Sequence, residues 1–458
     1  MSQHFDAIVI GTGQSGPSLA VRLASTGSRV AIIERGKFGG TCVNNGCIPT
    51  KTLVASAYAA HLARRAGEYG VETGPVRVDM QRVKARKDEV SGGSSSGVEH
   101  WLRGTKGLSV YQGHARFVGP NSVQVGDDVL EGDRIFINVG GRPLVPAMPG
   151  LGQTPFLTNI SMMEVDFLPE HLIVIGGSYV GLEFGQMYRR FGSRVTIVEM
   201  GPRLIAREDD DVSQAVQEIL ANEGVELRLN AECLAVERDG TGVSVSLGCE
   251  AGAPKVHGSH LLLAVGRVPN TDDLGLERAG IRTDQRGYVT VDDSLRTSVT
   301  GVWAIGDCNG RGAFTHTSYN DYEIVADNLL NDAGRKVTDR IVTYGLFTDP
   351  PLGRIGMTEA EARKAGRRIL VGKRPMTRVG RAIEKGETQG FMKIVADADT
   401  QEILGAAILG TSGDEAVQTL TDAIYAKRPY GMVQRAVRIH PTVSELIPTV
   451  LGEMKPVT

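Results

Sequence analysis

Asp6-Ala-Ile-Val-Ile10 is a nearly unbroken apolar run that stops at Gly11-Thr-Gly-Gln-Ser-Gly16. A helical pattern over 18–25 follows, and then a second apolar run, Val30-Ala-Ile-Ile33. Runs without polar alternation predict parallel strands covered on both faces. Glu34 closes the second strand, 23 residues after Gly11. The same order recurs downstream: Leu172-Ile-Val-Ile175, the turn Gly176-Gly-Ser-Tyr-Val-Gly181, a helical pattern over 182–191, then Val195-Thr-Ile-Val198. Glu199 closes this copy at the same 23-residue offset from Gly176. One glycine turn is a weak signal, whereas two strand–turn–helix–strand units with an acid in register are a strong one.

Three more apolar strands end in glycine: Ile135-Phe-Ile-Asn-Val-Gly140, Leu261-Leu-Leu-Ala-Val-Gly266, and Val302-Trp-Ala-Ile-Gly306, which Asp307 follows. Backbone approaches a ligand closely at such strand ends. After about Asp339 the texture changes. Strands over 342–349, 391–395 and 403–409 and helices over 357–364 and 413–425 predict an α+β region without a nucleotide turn. The Ser/Gly tract 91–97 reads as a loose loop between helical flanks.

A length of 458 residues allows about three domains. Lys plus Arg number 50 and Asp plus Glu 53, a net charge of −3, which argues against nucleic acid or an acidic membrane as partner. No apolar run approaches the ~20 residues of a membrane span. Apolar patterning starts by Phe5 with no charged leader, so the expected location is cytoplasmic. Five cysteines do not make a disulfide framework in so long a chain. Cys233, Cys249 and Cys308 read as small buried apolar residues.

The first turn suits a pyrophosphate. Gly11 permits the tight turn, Gly13 the approach of the phosphates, and Gly16 close packing of helix on strand, while Glu34 would accept from a ribose hydroxyl. In the second turn Ser178 replaces the middle glycine, which predicts a looser site, but Gly176, Gly181 and Glu199 remain. Glu199 favours NAD over NADP; Arg203 and Arg207 leave NADP open.

Cys42-Val-Asn-Asn-Gly-Cys47 follows Gly39, Gly40 and Thr41. A metal site would need more ligands than His61, and two buried bystanders beside a cofactor turn are an improbable accident. A redox-active pair is the strongest reading, with Pro49 and Lys51 opening a helix whose dipole and charge favour thiolate. Near the other end, His440 in Arg438-Ile-His-Pro-Thr-Val-Ser-Glu445 is a candidate acid/base that Glu445 could orient. Alternatively, Thr442 and Glu445 form a helix capping box and His440 is an ordinary loop residue.

The segment Gly39-Gly-Thr-Cys-Val-Asn-Asn-Gly-Cys-Ile-Pro-Thr-Lys51, the two turns, Ala304-Ile-Gly-Asp307 and His440-Pro-Thr-Val-Ser-Glu445 together resemble the class I pyridine nucleotide–disulfide oxidoreductases. That family includes dihydrolipoamide dehydrogenase, glutathione reductase and mercuric reductase. The resemblance implies an α/β fold with two Rossmann-like dinucleotide-binding domains plus a C-terminal α+β dimerisation domain. It implies FAD on 1–149 with 270–338, NAD(P) on 150–269, and dimerisation through 339–458. Cys47 would contact the flavin and Cys42 the substrate, with His440 and Glu445 arriving from the partner subunit over a rigid, cis His440–Pro441 bond. Lys51 and Glu183 would pair beside the flavin, Tyr179 would gate the nicotinamide, and Asp307 would hold FAD. A small disulfide or dithiol, or a protein-bound lipoyl group, is the implied substrate. Residues 375–391 are also similar to a metal-reductase-like subgroup, so a mercuric-reductase-like metal-ion reductase is the alternative; a non-catalytic flavoprotein redox sensor is a minor one.

Overall fold

In the computed structural model, which describes residues 3–249 and 252–457, the unbroken apolar runs pair as parallel strands. Ala7–Ile10 and Val30–Glu34 lie side by side in a five-stranded parallel sheet with Leu108–Gln112, Ile135–Ile137 and Val302–Ala304. Every residue of Ala7–Ile10 is buried, because helices Ser15–Ala24 and Thr315–Asn331 pack together beside the sheet. The second copy forms its own parallel sheet in the order Glu226–Arg228, Arg194–Val198, His171–Ile175, His260–Leu263. Its core residue Ile197 and the buried Leu182 and Phe184 of helix Tyr179–Phe191 join in one apolar cluster.

The chain leaves the first sheet and returns to it through a two-stranded antiparallel ribbon, Gly141–Pro143 with Arg267–Pro269. Its antiparallel register sets Gly140 opposite Asn270 and Gly266 opposite Leu144, one glycine-ended strand at each end of the ribbon. The C-terminal part is a six-stranded antiparallel sheet containing Thr343–Leu346, Leu352–Gly356, Phe391–Asp397 and Ile403–Leu409. Among the described residues no helix is long and apolar enough to cross a membrane.

Three local expectations are corrected. Residues 91–97 are not a loop; they lie inside one helix, Met80–Gly104. Each interior glycine costs about 1 kcal/mol relative to alanine, but the serines dock the helix: Ser91 Oγ donates to Val43 O at 2.6 Å and Ser95 Oγ to Phe38 O at 2.8 Å. The 413–425 helix is broken into Gly413–Ala416, a 3₁₀ turn at Val417–Leu420, and Thr421–Tyr425. Cys308 is buried as expected, whereas Cys233 and Cys249 are only half-buried.

Candidate active site

Helix Ser15–Ala24 begins within the first glycine turn and points its N-terminus at a cavity of about 760 Å³, within the ordinary size of a cofactor site. Gly11 sits at φ +105°, and a Cβ there would meet Asn138 O at 2.3 Å. A Cβ on Gly16 would meet Gly11 O at 2.2 Å, so this glycine is required by packing. Asn138 donates its amide to Gly13 O at 3.1 Å and fixes the turn. Glu34 Oε2 accepts from the Thr12 N–H and hydroxyl at 3.0 and 2.6 Å, which holds the carboxylate at the cavity wall. Gly40, Thr41, Gly140 and Asp307 line the same cavity. Asp321 accepts from Gly306 N–H at 2.8 Å and Asn309 Nδ2 at 2.9 Å, pinning the turn that carries Asp307; burial pushes the Asp307 carboxyl up. The helix N-terminus and glycine cradle offer N–H donors to phosphate and the Glu34 carboxylate offers an acceptor, an arrangement that fits an anionic dinucleotide.

A second cleft of about 1400 Å³ opens on Gly176, Glu199 and Gly266. Gly177 and Gly201 donate their N–H groups to the two Glu199 oxygens at 2.7 and 2.8 Å. Gly181 packs behind the turn, its Cβ position 2.0 Å from Gly176 O. The glycine that packing demands in the middle of this turn is Gly177, where a Cβ would meet Leu204 Cδ2 at 2.6 Å, while Ser178 is exposed at the helix N-cap. Serine at 178 therefore fills an open position. Arg203 pairs with Asp210, whereas Arg207 lines the cleft. Tyr179 and Asp307 border both cavities.

Cys42 lies in the short helix Gly40–Asn44 and Cys47 is the first residue of helix Cys47–Arg65. Both are free thiols on the first cavity, hydrogen-bonded to each other. The Cys42 hydrogen bond, the Thr315 hydroxyl at 3.0 Å and the nearby Lys51 charge outweigh burial and lower Cys47 from 9.0 to about 6. The helix dipole acts in the same direction. Cys42 moves up, because it donates to Cys47, is buried, and faces that developing negative charge. The pair is therefore one thiolate and one thiol at neutral pH. Among the described residues no cluster of three or more His, Cys, Asp or Glu could hold a metal ion.

Lys51 Nζ lies 2.7 Å from Glu183 Oε2, and the Glu183 side chain is 6% exposed. The other Glu183 oxygen accepts from Phe347 N–H at 3.0 Å, and Lys51 lies 4.6 Å from the Phe347 ring centroid. His440 is elsewhere. Its side chain is 80% exposed, outside both cavities, and flanked by the exposed Val437 and Ile439. Its Nδ1 is 2.8 Å from Glu445 Oε2, and the His440–Pro441 bond is cis. Thr442 Oγ1 accepts from Glu445 N–H at 3.2 Å, but the Glu445 carboxylate lies on the histidine rather than on the Thr442 N–H, so the capping box is half-formed. The structure thus joins the cysteines, Lys51, Glu183 and Tyr179 around one cavity and leaves the His440–Glu445 pair facing outward.

Sequence reasoning missed Thr315, Asn138, Phe314 and Tyr344. Thr315 lies 268 residues from the cysteine it touches, in no motif. Asn138 sits inside an apolar strand end, and its partner Gly13 lies 125 residues away.

Residues 5–321 match the pyridine nucleotide-disulphide oxidoreductase family, and residues 342–451 match the dimerisation domain of that family. The chain is 36% identical over 456 residues to the probable pyridine nucleotide-disulfide oxidoreductase RclA of Escherichia coli (strain K12), covering 96% of this chain and 97% of the relative. It is 33% identical over 444 residues to the dihydrolipoyl dehydrogenase of Thermus scotoductus, covering 96% and 95%. It is also 33% identical over 449 residues to the mercuric reductase of Streptomyces lividans, covering 97% and 94%. The solved Cu(II) complex of the HOCl-induced flavoprotein disulfide reductase RclA from Escherichia coli superposes with a TM-score of 0.90 at 35% identity, over 98% of this chain and 99% of that one. The chain belongs to the pyridine nucleotide-disulphide oxidoreductases and is an NAD(P)H-dependent flavoprotein disulfide oxidoreductase that uses FAD and NAD(P).

Proposed function

We propose that the chain, as a homodimer, passes electrons between NADH and a small disulfide or dithiol, in the manner of a dihydrolipoyl dehydrogenase, through Cys42 and Cys47. The observation that carries this reading is geometric: two free cysteines line one cavity, and Cys47 sits at a helix N-terminus with the Thr315 hydroxyl at 3.0 Å and the Lys51–Glu183 pair on the same wall. The first turn, Glu34 and Asp307 would hold FAD, which would supply two-electron chemistry between nicotinamide and the cysteine pair. Residues 1–149 with 270–338 would form that unit, 150–269 the nucleotide unit, and 339–458 the dimerising unit.

Cys42 cannot attack a disulfide until a base removes its proton. His316 lines the cavity, but its Nε2 donates to Thr343 O at 2.6 Å and its ring stacks on Phe314. The base is instead His440 of the partner subunit, with Glu445 accepting at Nδ1 and leaving Nε2 for the substrate side. The Cys42 thiolate attacks one substrate sulfur, the substrate S–S bond breaks, and the leaving thiolate takes the proton from His440. The Cys47 thiolate then displaces the second substrate thiolate, and a Cys42–Cys47 disulfide remains for reduction. Lys51, paired with Glu183, keeps positive charge beside the Cys47 sulfur.

A second acceptor is favoured by one observation, the similarity to a reductase solved as a Cu(II) complex. Two Cu(II) ions would take one electron each from the thiol–thiolate pair, giving two Cu(I), one proton and the Cys42–Cys47 disulfide. Steady-state assays with lipoamide, glutathione disulfide and Cu(II) decide between the acceptors. Lipoamide should lead in kcat/KM; turnover of Cu(II) with inert disulfides would establish the second acceptor instead.

NADH should outperform NADPH in kcat/KM by roughly 30- to 150-fold, the worth of about 2–3 kcal/mol from one lost hydrogen bond and one repulsion at Glu199. Glu199 is fixed by two backbone donors, and Arg203 is engaged by Asp210. Equal use of both nucleotides would mean that Arg207 decides.

A further inference from the structure

Glu208 lies just before helix Asp210–Asn222 and buries its carboxylate against the C-terminal sheet. Tyr344 and Arg354 face each other there, directly paired across strands Thr343–Leu346 and Leu352–Gly356. Arg354 Nε donates to Glu208 Oε2 at 3.0 Å and Nη2 donates to the same oxygen, while the Tyr344 hydroxyl donates to Oε1. The Arg354 and Glu208 side chains are each 1% exposed. A buried pair of this kind is weak support for stability in itself, since desolvation offsets much of the attraction. Its position gives it another task.

The Tyr344 ring stacks on Phe314 with centroids 5.7 Å apart and planes at 16°. Tyr179 meets both rings edge-on, at 5.5 Å from Tyr344 and 5.8 Å from Phe314. Tyr179 stands where the flavin-side cavity and the nucleotide cleft meet. Arg207, the neighbour of Glu208, lines the nucleotide cleft, so one loop both borders that cleft and carries the buried carboxylate.

We propose that Glu208, Arg354 and Tyr344 form a clasp that holds Tyr179 closed between the two cavities until nucleotide displaces it. The proposal rests on the gating role of Tyr179 given above. The three are positioning residues: they fix the Tyr344 ring, and that ring fixes Tyr179. Because a nucleotide that needs the open gate binds with its intrinsic affinity reduced by the open fraction, loosening the clasp must tighten binding. A purely structural ion pair has no such effect.

The test is isothermal titration of the oxidised holoenzyme with NAD⁺, a probe that binds without reducing the protein. Tyr344→Phe keeps the ring and removes its bond to Glu208, and should lower the NAD⁺ Kd roughly three- to tenfold. Tyr179→Ala should also lower it, and Tyr344→Phe added to Tyr179→Ala should bring no further change. Thermal melting of each variant confirms that it folds. A lower Tm with an unchanged Kd in Tyr344→Phe, while Tyr179→Ala does tighten binding, would overturn the clasp alone. A Tyr344→Phe effect that persists without Tyr179 would also overturn it. An unchanged Kd in Tyr179→Ala would overturn the gate itself.

Discussion

Cys42→Ser is expected to lower disulfide turnover on the order of 10⁴-fold or more, because a serine hydroxyl cannot replace the attacking sulfur. The same variant should leave Cys47 ionised. A hydroxyl at position 42 still donates to the Cys47 sulfur, and Thr315 and Lys51 stay in place. Iodoacetamide labelling of Cys47, followed by mass spectrometry, should therefore show a rate that is flat above about pH 6 and falls below it. Cys42→Ala removes the largest cause of the depression, so the labelling midpoint should climb toward 9.0. The direction for stability follows the same shift. Cys47, lowered from 9.0 to about 6, contributes stability that grows as pH rises from about 6 towards 9.0 and is lost as pH falls through about 6, while the upward shift of Cys42 opposes it above 9.0. Efficient turnover by Cys42→Ser would contradict a relay through the cysteine pair, since either assignment of the two sulfurs needs both.

His440→Ala should cost about 10²- to 10⁴-fold in kcat/KM with a disulfide, the usual worth of a general acid/base. Its loss leaves Cys42 protonated and the departing substrate thiolate without a donor. Glu445→Gln should cost less, since the ring keeps a partner at Nδ1 but loses its negative charge. Turnover of Cu(II), where no thiolate leaves, should respond far less to either change. Comparing disulfide and Cu(II) rates in one His440→Ala preparation separates the acid/base role from a folding defect. Equal losses with both acceptors would contradict it.

The parallel strands, both nucleotide turns and the cysteine segment were legible because each is a local pattern with a local cause. Glu34 and Glu199 were found by register, and both sit at their cavity walls. Helix Met80–Gly104 was not, since its glycines and serines break propensity and only the docking of Ser91 and Ser95 on 38–43 explains it. Thr315, Asn138, Tyr344 and Arg354 escaped for a different reason. Their partners lie more than a hundred residues away, and distance in sequence hides what the fold brings together. Glu445 shows an ambiguity that only geometry resolves: the same Thr-x-x-Glu spacing serves a cap or a histidine, and here the carboxylate lies on His440.

His440 is exposed and does not line the cysteine cavity of its own chain, so the proposed active site needs two copies. Mixing a Cys42→Ser chain with a His440→Ala chain, each inactive alone, and allowing subunits to exchange tests this directly. Each mixed dimer holds one site with intact Cys42 from one chain and intact His440 from the other. At equal proportions half of the dimers are mixed, so disulfide reduction should return to about a quarter of the wild-type rate. No recovery in a mixture whose subunit exchange is verified by mass spectrometry would contradict a site shared between subunits.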